Sequence, residues 1–415
     1  MIRLRGFQKL VPVETALQTF LGTLRINPKE TSSPSYLALN RVLAEQIVAR
    51  TDLPRTNRSA VDGYAVNADS TAQATRQRPV TLKIVCKDMI NENQAKQVWT
   101  GNSITSRADA VVMLENVKLD GDNIDVSSPV TRWENVSKKG EDVRKGQVVA
   151  ETGTRLKAQH LGLIAAFGIA EVKVFRRPKI AILTTGNELA ELDGKLQKEQ
   201  VFDTNRTVLC ALCSELGAQT LDLGIARDNV DEISEKLRLG LMKADGVISS
   251  GGTSVGGLDL VPETVNKIGK PGVIVHGIAM RPGMPTALAV VEGRPIIVLP
   301  GNPVAAMLSF EVFGRPLLSR MLGLKRVEAR PVLRAKITRR ITTTLGRKNF
   351  LRVHVLQKDD DFLAEPISAR GSSLISTMTR ANGYVVVPEN VEGVEEGEIV
   401  SVHMFNDLEA IRDYV

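Results

Sequence analysis

Val247 to Asp259 reads V-I-S-S-G-G-T-S-V-G-G-L-D: a short apolar run, then small and glycine residues, then a carboxylate. Backbone stripped of side chains can close around a phosphate, and a terminal Asp can hold a metal, so this is how a phosphate cradle with a metal ligand looks. No Lys-Ser or Lys-Thr pair follows the glycines, which rules out a Walker A loop, and the dinucleotide G-x-G-x-x-G spacing is absent too. Taken alone, the stretch reads more readily as a tight structural turn than as a catalytic loop. Other chemistry-bearing residues sit in Thr184-Thr185-Gly186-Asn187-Glu188, in Ala226-Arg227-Asp228 and in Pro300-Gly301-Asn302-Pro303. In the last of these, Asn302 can cap a helix whose first turn holds Pro303, and a helix start with free amides attracts anions. Glu188, Asp228 and Asp259 are candidates for magnesium or proton-transfer work, although singly each reads as a solvated surface acid. Arg281-Pro282-Gly283-Met284-Pro285 carries a cation on a stiff turn, which suits an oxyanion.

The surrounding pattern tells what positions these residues. Strands read at Lys179 to Thr184, Gln219 to Gly224, Gly246 to Ser250, Val273 to Ile278, Ala287 to Val291 and Pro295 to Leu299. Helices read at Thr204 to Leu216, Val230 to Lys243, Val261 to Ile268 and Val304 to Leu322. Such alternation predicts a parallel sheet covered on both faces, with ligands beyond the carboxyl ends of its strands, where the motifs fall. Ahead of it, Val11 to Thr23 and Tyr36 to Arg50 show helical spacing, Arg78 to Val149 shows short strands, and Thr154 to Phe167 is helical again. Leu53 to Val66 is a polar, Pro-started segment with an Asp62-Gly63 turn, as suited to a connector as to a site. From Val327 the texture is β, with Arg347, Arg352, Arg370 and Ser372 as its notable polar residues. The expected division is therefore 1–50 with 147–177 as a helical linker domain, 51–146 as an inserted β domain, 178–326 as a doubly wound α/β domain, and 327–415 as a β domain.

Composition excludes several classes. The 415 residues hold 43% apolar side chains, enough for several cores. The 54 Lys and Arg against 47 Asp and Glu, a formal charge of +7, are spread thinly, and 4% aromatic content leaves few stacking platforms, so nucleic acid is not the expected partner. No signal peptide or membrane-length apolar run appears, which makes a cytoplasmic protein the expectation. Cys86, Cys210 and Cys213 cannot build a disulfide framework, and Cys210-x-x-Cys213 lacks a second pair, so buried helix cysteines are expected. The four histidines show no ligand spacing.

Five motifs in one order carry a resemblance: S-A-V-D-G-Y-A-V at Ser59 to Val66, T-T-G-N-E-L at Thr184 to Leu189, D-T-N at Asp203 to Asn205, S-S-G-G-T-S-V-G at Ser249 to Gly256, and P-G-N-P-V at Pro300 to Val304. Over nearly its whole length the chain resembles the molybdopterin molybdenumtransferase (MoeA) family, which includes the C-terminal domain of gephyrin. The resemblance implies a multidomain α/β plus β protein, with a molybdopterin-binding α/β domain and a C-terminal β barrel. It implies insertion of molybdate or tungstate into adenylylated molybdopterin with release of AMP, dependent on Mg2+. It further implies a homodimer with the active site between subunits, and an adenylyltransferase as a possible partner. By matching position, Asp62, Thr100, Glu188, Asp228 and Asp259 correspond to catalytic residues, with Asp228 and Asp259 at the metal and pyrophosphate. Ser250, Gly251, Gly252, Ser254, Arg281, Pro300, Gly301, Asn302, Pro303, Arg352 and Ser372 correspond to substrate-binding positions. The resemblance places Met284 where many members carry lysine and Gly277 where some do, which leaves the preference between the two oxyanions open. A non-catalytic pterin-binding scaffold of the same fold and a molybdopterin adenylyltransferase are the competing readings; the former needs none of the acids, and the latter none of the extra domains.

Overall fold

The structure is a computed structural model that describes residues 10–253, 259–367 and 373–405. It divides into two compact units, one of Met1–Thr31, Asn40–Val42 and Val174–Val415, the other of Ser32–Leu39 and Leu43–Lys173. Helix α1 (Val13–Thr23) opens the first unit and buries Val13, Ala16 and Phe20, spaced three and four apart, against the core of the α/β sheet.

The second unit is built on a six-stranded sheet of β1 (Gly63–Val66), β2 (Val80–Ile84), β3 (Gln94–Val98), β4 (Ala110–Met113), β5 (Val117–Asp120) and β6 (Asn123–Val126), in the order β4-β1-β3-β2-β6-β5. Tyr64, Leu82, Val112 and Ile124 fill one core of this unit, and α2 (Ala158–Ala166) belongs to it as well. The helix expected over Tyr36 to Arg50 does not form. Tyr36 and Leu37 are 77% and 60% exposed, Asn40 has a φ of 60°, and Ile47–Val48 pairs as a short antiparallel strand with Val148–Ala150. A left-handed residue in mid-segment cannot continue a right-handed helix, so the apolar spacing there serves extended chain.

In the first unit, strands β7 (Lys179–Thr185), β8 (Gln219–Ala226), β9 (Gly246–Ser250), β10 (Pro271–His276), β12 (Ala287–Val291) and β13 (Arg294–Leu299) form a sheet in the order β8-β7-β9-β13-β12-β10; β11 (Met280–Arg281) lies outside it. Helices α3 (Thr204–Glu215) and α6 (Pro303–Ser309) cover one face, and α4 (Val230–Lys243) and α5 (Leu260–Ile268) the other. Along β7, Ile180 and Ile182 enter the first core while Ala181 and Leu183 enter the second, the period of two that a doubly buried strand requires. The sheet is not wholly parallel as expected: β12 runs antiparallel to both β13 and β10. The two residues between β12 and β13, Glu292 and Gly293, have φ of 49° and 77°, a tight hairpin turn that can only join antiparallel neighbours. The helix expected over Val304 to Leu322 is α6 followed by a π-turn at Phe310–Gly314 and α7 (Arg315–Met321).

The C-terminal β region is a closed barrel of β14 (Val332–Ile337), β15 (Lys348–Lys358), β16 (Asp361–Pro366), β17 (Gly383–Val387) and β18 (Ile399–Met404), the ring running β15-β16-β14-β18-β17 and back to β15. Ala335, Ile337, Val353, Val355, Val385 and Val402 pack inside it. Closure leaves no free edge within the ring. Strand β11 adds to its outside, pairing Arg281 with Asn349 on β15.

Candidate functional site

The carboxyl ends of the parallel strands carry the first part of the site. At the end of β9, Ser250 is 1% exposed; its Oγ donates to the Pro300 carbonyl at 2.9 Å and accepts from Asn205 Nδ2 at 2.8 Å. The same Asn205 Nδ2 donates to the Gly301 carbonyl at 2.7 Å. One amide on α3 thus ties the glycine loop after β9 to the Pro300–Pro303 loop after β13. Gly251 has a φ of 94°, and a Cβ there would sit 2.2 Å from the Thr185 carbonyl oxygen, while a Cβ on Gly301 would meet only the Gly251 Cα at 3.7 Å. Gly251 needs bare backbone and Gly301 does not, and the two loops lie side by side. Around them Thr185 Oγ1, Asn205 Oδ1, Ser249 Oγ and Thr253 Oγ1 are buried without a hydrogen-bond partner. Buried polar atoms are costly unless something satisfies them, so the cluster is poised for a polar ligand.

Asp203 and Asn205, quoted above only as part of a motif, turn out to be structural ties. Asp203 caps α3, its Oδ1 accepting Arg206 N–H at 3.1 Å and its Oδ2 accepting Thr184 Oγ1–H at 2.5 Å. A cap signal before the apolar spacing of α3 could have revealed Asp203. Nothing local could have revealed Asn205, whose partners lie 45 and 96 residues away.

Beyond β7 and β8, Asn187 N–H donates to Asp228 Oδ2 at 3.3 Å and Asp228 N–H donates to Asn187 Oδ1 at 3.2 Å. The Glu188 carboxylate folds over Gly186, where a Cβ would lie 2.7 Å from either oxygen. Asp259 precedes α5, with its Oδ1 4.0 Å from His276 Nε2 at the end of β10. Burial, against the opposing pull of the Asp259 charge, holds the His276 imidazole below its ordinary range. Asp228 is thus held from the β7–β8 side, and one contact of Asp259 is with the end of β10. Among the described residues no three His, Cys, Asp or Glu side chains gather closely enough to hold a metal by themselves.

The second part is a cavity of about 410 Å³ lined by Arg281, Met284, Pro300, Asn302, Arg347 and Arg352, together with apolar and backbone atoms. Three arginines face it, and none of the described residues lining it is Asp or Glu. Arg352, on β15, is 4% exposed, and its Nε has no partner. Burial alone pulls its guanidinium below the ordinary arginine range. Arg281 is exposed and donates to the Thr344 hydroxyl. Asn302 precedes α6 as expected, with Pro303 in the first turn, but its side chain makes no capping bond and lines the cavity instead. Arg347 belongs with Arg281 and Arg352; its membership depends on the β11–β15 pairing, which residue spacing does not show.

In the second unit, Asp62 Oδ1 accepts both Thr100 N–H and Thr100 Oγ1–H at 2.7 Å. Those two bonds hold the Asp62 carboxyl below the usual carboxylate range. Gly63 lets β1 approach β4, since a Cβ there would lie 2.0 Å from the Val112 carbonyl oxygen. Ser254, Arg370 and Ser372 lie outside the described residues. Cys213 is buried on α3 and Cys210 partly so, and burial pushes both thiols up.

Three family models match along the chain: "MoeA N-terminal region (domain I and II)" over residues 11–168, "Probable molybdopterin binding domain" over 181–320, and "MoeA C-terminal region (domain IV)" over 334–405. A protein of Haemophilus influenzae named molybdopterin molybdenumtransferase is 34% identical over 381 residues, 89% of this chain and 93% of its own. The chain belongs to the molybdopterin molybdenumtransferase family. A molybdopterin biosynthesis protein of Methanocaldococcus jannaschii is 36% identical over 379 residues, 88% of this chain and 90% of its own. A crystal structure of a molybdopterin biosynthesis moeA protein from Pyrococcus horikoshii superposes with a TM-score of 0.82 at 30% identity, covering 96% of this chain and 100% of that one. Within the MoeA frame, the N-terminal match contains Asp62 and Thr100, the middle match both edge loops, and the C-terminal match Arg347 and Arg352. The fold class is that of the family: several α/β and β domains ending in a five-stranded barrel. Among the described residues no helix is long and apolar enough to cross a membrane.

Proposed function

We propose that this member of a transferase family of molybdenum cofactor biosynthesis inserts molybdate or tungstate into adenylylated molybdopterin and releases AMP. The observation that carries the reading is Arg352, a buried arginine without a partner at Nε, in a cavity with two further arginines and no acid among its described lining residues. Such a charge is expensive to keep unless an anion answers it. A tetrahedral dianion fits that chemistry, and a pterin-binding scaffold would have no use for it. The adjoining edge loops, with bare glycine backbone and four orphaned polar atoms, would take the pterin and its pyrophosphate.

Mg2+ typically takes one or two carboxylates and completes its shell from water and substrate phosphates, so a single aspartate beside the pyrophosphate is enough to seat it. Asp228 and Asp259 would hold it, and when bound it supplies charge neutralisation at the pyrophosphate. Asn187 keeps Asp228 in place through its backbone N–H and side chain. Hydrolysis breaks one bridging P–O bond, with water giving its hydroxyl to the attacked phosphorus and its proton to the departing phosphate. At the dithiolene, one oxygen of the oxyanion leaves as water with the two thiol protons. Arg281, Arg347 and Arg352 hold the dianion while this happens, and Asp62 with Thr100 is proposed as a further catalytic pair. The reading includes a homodimer with the active site between subunits, a cytoplasmic setting, and an adenylyltransferase as supplier of the substrate.

The test incubates the purified protein with adenylylated molybdopterin, Mg2+ and either oxyanion, following AMP and cofactor formation. Absence of turnover with both would remove the enzyme reading. Asp259→Asn should slow metal-dependent hydrolysis, and an unchanged rate would remove Asp259 from that role. Sedimentation at working concentration tests the dimer, a monomer being the contrary result.

A further inference from the structure

A larger cavity, about 690 Å³, opens in the second unit, and none of the residues assigned to the site lines it. It is lined by Ile90, fully buried, by Ile104 and Trp133, and by the polar Asn57, Thr105 and Arg107. The size falls within the range of small-molecule sites, roughly 300–1,000 Å³.

Three observations set it apart from an ordinary surface hollow. Thr105 is 8% exposed and lines the cavity, yet its Oγ1 has no hydrogen-bond partner. The two cations at the cavity differ in kind. Arg132 is paired with Asp109 at 3.1 Å, and Asp109 also accepts Ala68 N–H at 2.8 Å, so that pair is complete. Arg107, exposed at the cavity, bonds through Nη1 to the neutral Asn91 Oδ1 at 3.2 Å and makes no ion pair with an acid among the described residues. Glu92, the other acid of the lining, is exposed to solvent. Finally, Arg107 and Trp133 have φ of 69° and 70°, the left-handed region that bulky residues ordinarily avoid, and both face this one cavity. The Arg132 guanidinium lies 5.6 Å and the Lys138 ammonium 5.4 Å from the indole centroid.

An arginine with no acid partner and an unsatisfied buried hydroxyl, both in the lining, suit a phosphate, and the Ile90, Ile104 and Trp133 atoms that line the same cavity suit an apolar ring. We propose that this cavity binds a small phosphate-bearing molecule with a planar ring, of the nucleoside monophosphate class. Its lining residues Ser103 to Thr105 follow Thr100, the partner of Asp62, after two residues, and Ile104 N–H is bonded to the carbonyl of Asn57, another lining residue, at 3.0 Å. An occupant therefore touches the same short segment that holds the Asp62 carboxylate, and gives the second unit a means of responding to nucleotide.

The chain has two tryptophans, Trp99 and Trp133, so Trp99→Phe leaves Trp133 as the only indole and as a reporter inside the cavity. The full-length variant is titrated with AMP, adenosine and inorganic phosphate while Trp133 emission is followed. AMP is expected to give a saturable change at a concentration at least about tenfold below either of its parts, because ring and phosphate are bound together. Arg107→Gly, which readily adopts a φ of 69°, removes the cation without folding strain and should raise the AMP midpoint roughly tenfold. Thr105→Val should raise it by a smaller factor, and Arg107→Lys should restore part of the loss. Arg352→Ala, in the other cavity, should leave the AMP titration unchanged, which keeps this inference separate from the oxyanion reading. The inference is overturned if AMP gives no saturable change, if phosphate or adenosine saturates as readily as AMP, if Arg107→Gly leaves the midpoint where it was, or if Arg352→Ala abolishes the response.

Discussion

Thr100 gives Asp62 two hydrogen bonds on a single oxygen, one from its backbone and one from its hydroxyl, both at 2.7 Å. The backbone bond is the larger cause of the lowered carboxyl pKa. Because the folded value lies below the unfolded one, the pair's stabilisation is fully present above the ordinary carboxylate range and is lost as pH falls through the lowered value. Thr100→Val keeps the amide and deletes the hydroxyl, so the Asp62 titration should move part of the way up toward its ordinary position. Carbon NMR of the Asp62 carboxyl checks this, and an unmoved titration would mean that the hydroxyl does not hold the charged form.

Arg352 should trade stability for binding. Arg352→Met keeps the stem volume and removes a buried charge whose Nε has no partner, which should stabilise the empty protein by about 1–2 kcal/mol. Molybdate and tungstate binding should fall by at least about tenfold at the same time. Thermal unfolding and calorimetric titration read the two effects. A variant that loses stability and keeps its oxyanion affinity would show that Arg352 is a structural residue.

Asn205 should act on two loops at once. Asn205→Ala removes the donor shared by Ser250 Oγ and the Gly301 carbonyl, and a cost of about 2–3 kcal/mol is expected from the bonds lost at a buried site. Turnover should fall further than oxyanion affinity, since Arg281 and Arg352 stand on β11 and β15, while only Pro300 and Asn302 of the cavity's polar and turn residues belong to the loop that Asn205 ties. Equal losses in both would show that the two loops and the cavity respond as one body.

Gly251→Ala should be more damaging than its single methyl suggests. A φ of 94° and a Cβ 2.2 Å from the Thr185 carbonyl oxygen combine backbone strain with a steric clash, together about 2–4 kcal/mol. Gly301→Ala, whose Cβ meets nothing nearer than 3.7 Å, is the matched control and should cost less than about 1 kcal/mol. Equal melting temperatures for the two variants would contradict this reading of the glycine loop.

What residue spacing could reveal was local. Gly246 to Ser250 and Ala287 to Val291 fold as strands with the expected limits, because an apolar run between turn residues admits little else at that length. Tyr36 to Arg50 misleads because Leu37, Leu39, Val42, Leu43 and Ile47 match a helical period while Asn40 takes a left-handed turn. The two-residue Glu292-Gly293 connection, by contrast, was a legible sign of an antiparallel strand and corrects the all-parallel sheet. At the site, the glycine and Pro300 loops could be placed at one sheet edge from strand order. The joining of Arg281 with Arg347 and Arg352 could not, since it arises from a two-residue strand added to the outside of a barrel.

The unsatisfied Arg352 has a consequence for the life of the protein as well as its chemistry. A fold that encloses an unanswered charge is less resistant to opening when its cavity is empty than when an anion is seated, because a ligand that binds only the folded form stabilises it by mass action. With the cavity as the seat of the oxyanion, metal starvation would make the chain more susceptible to proteases, and repletion would protect it. Oxyanion supply would then set how many copies persist as well as how fast each one turns over.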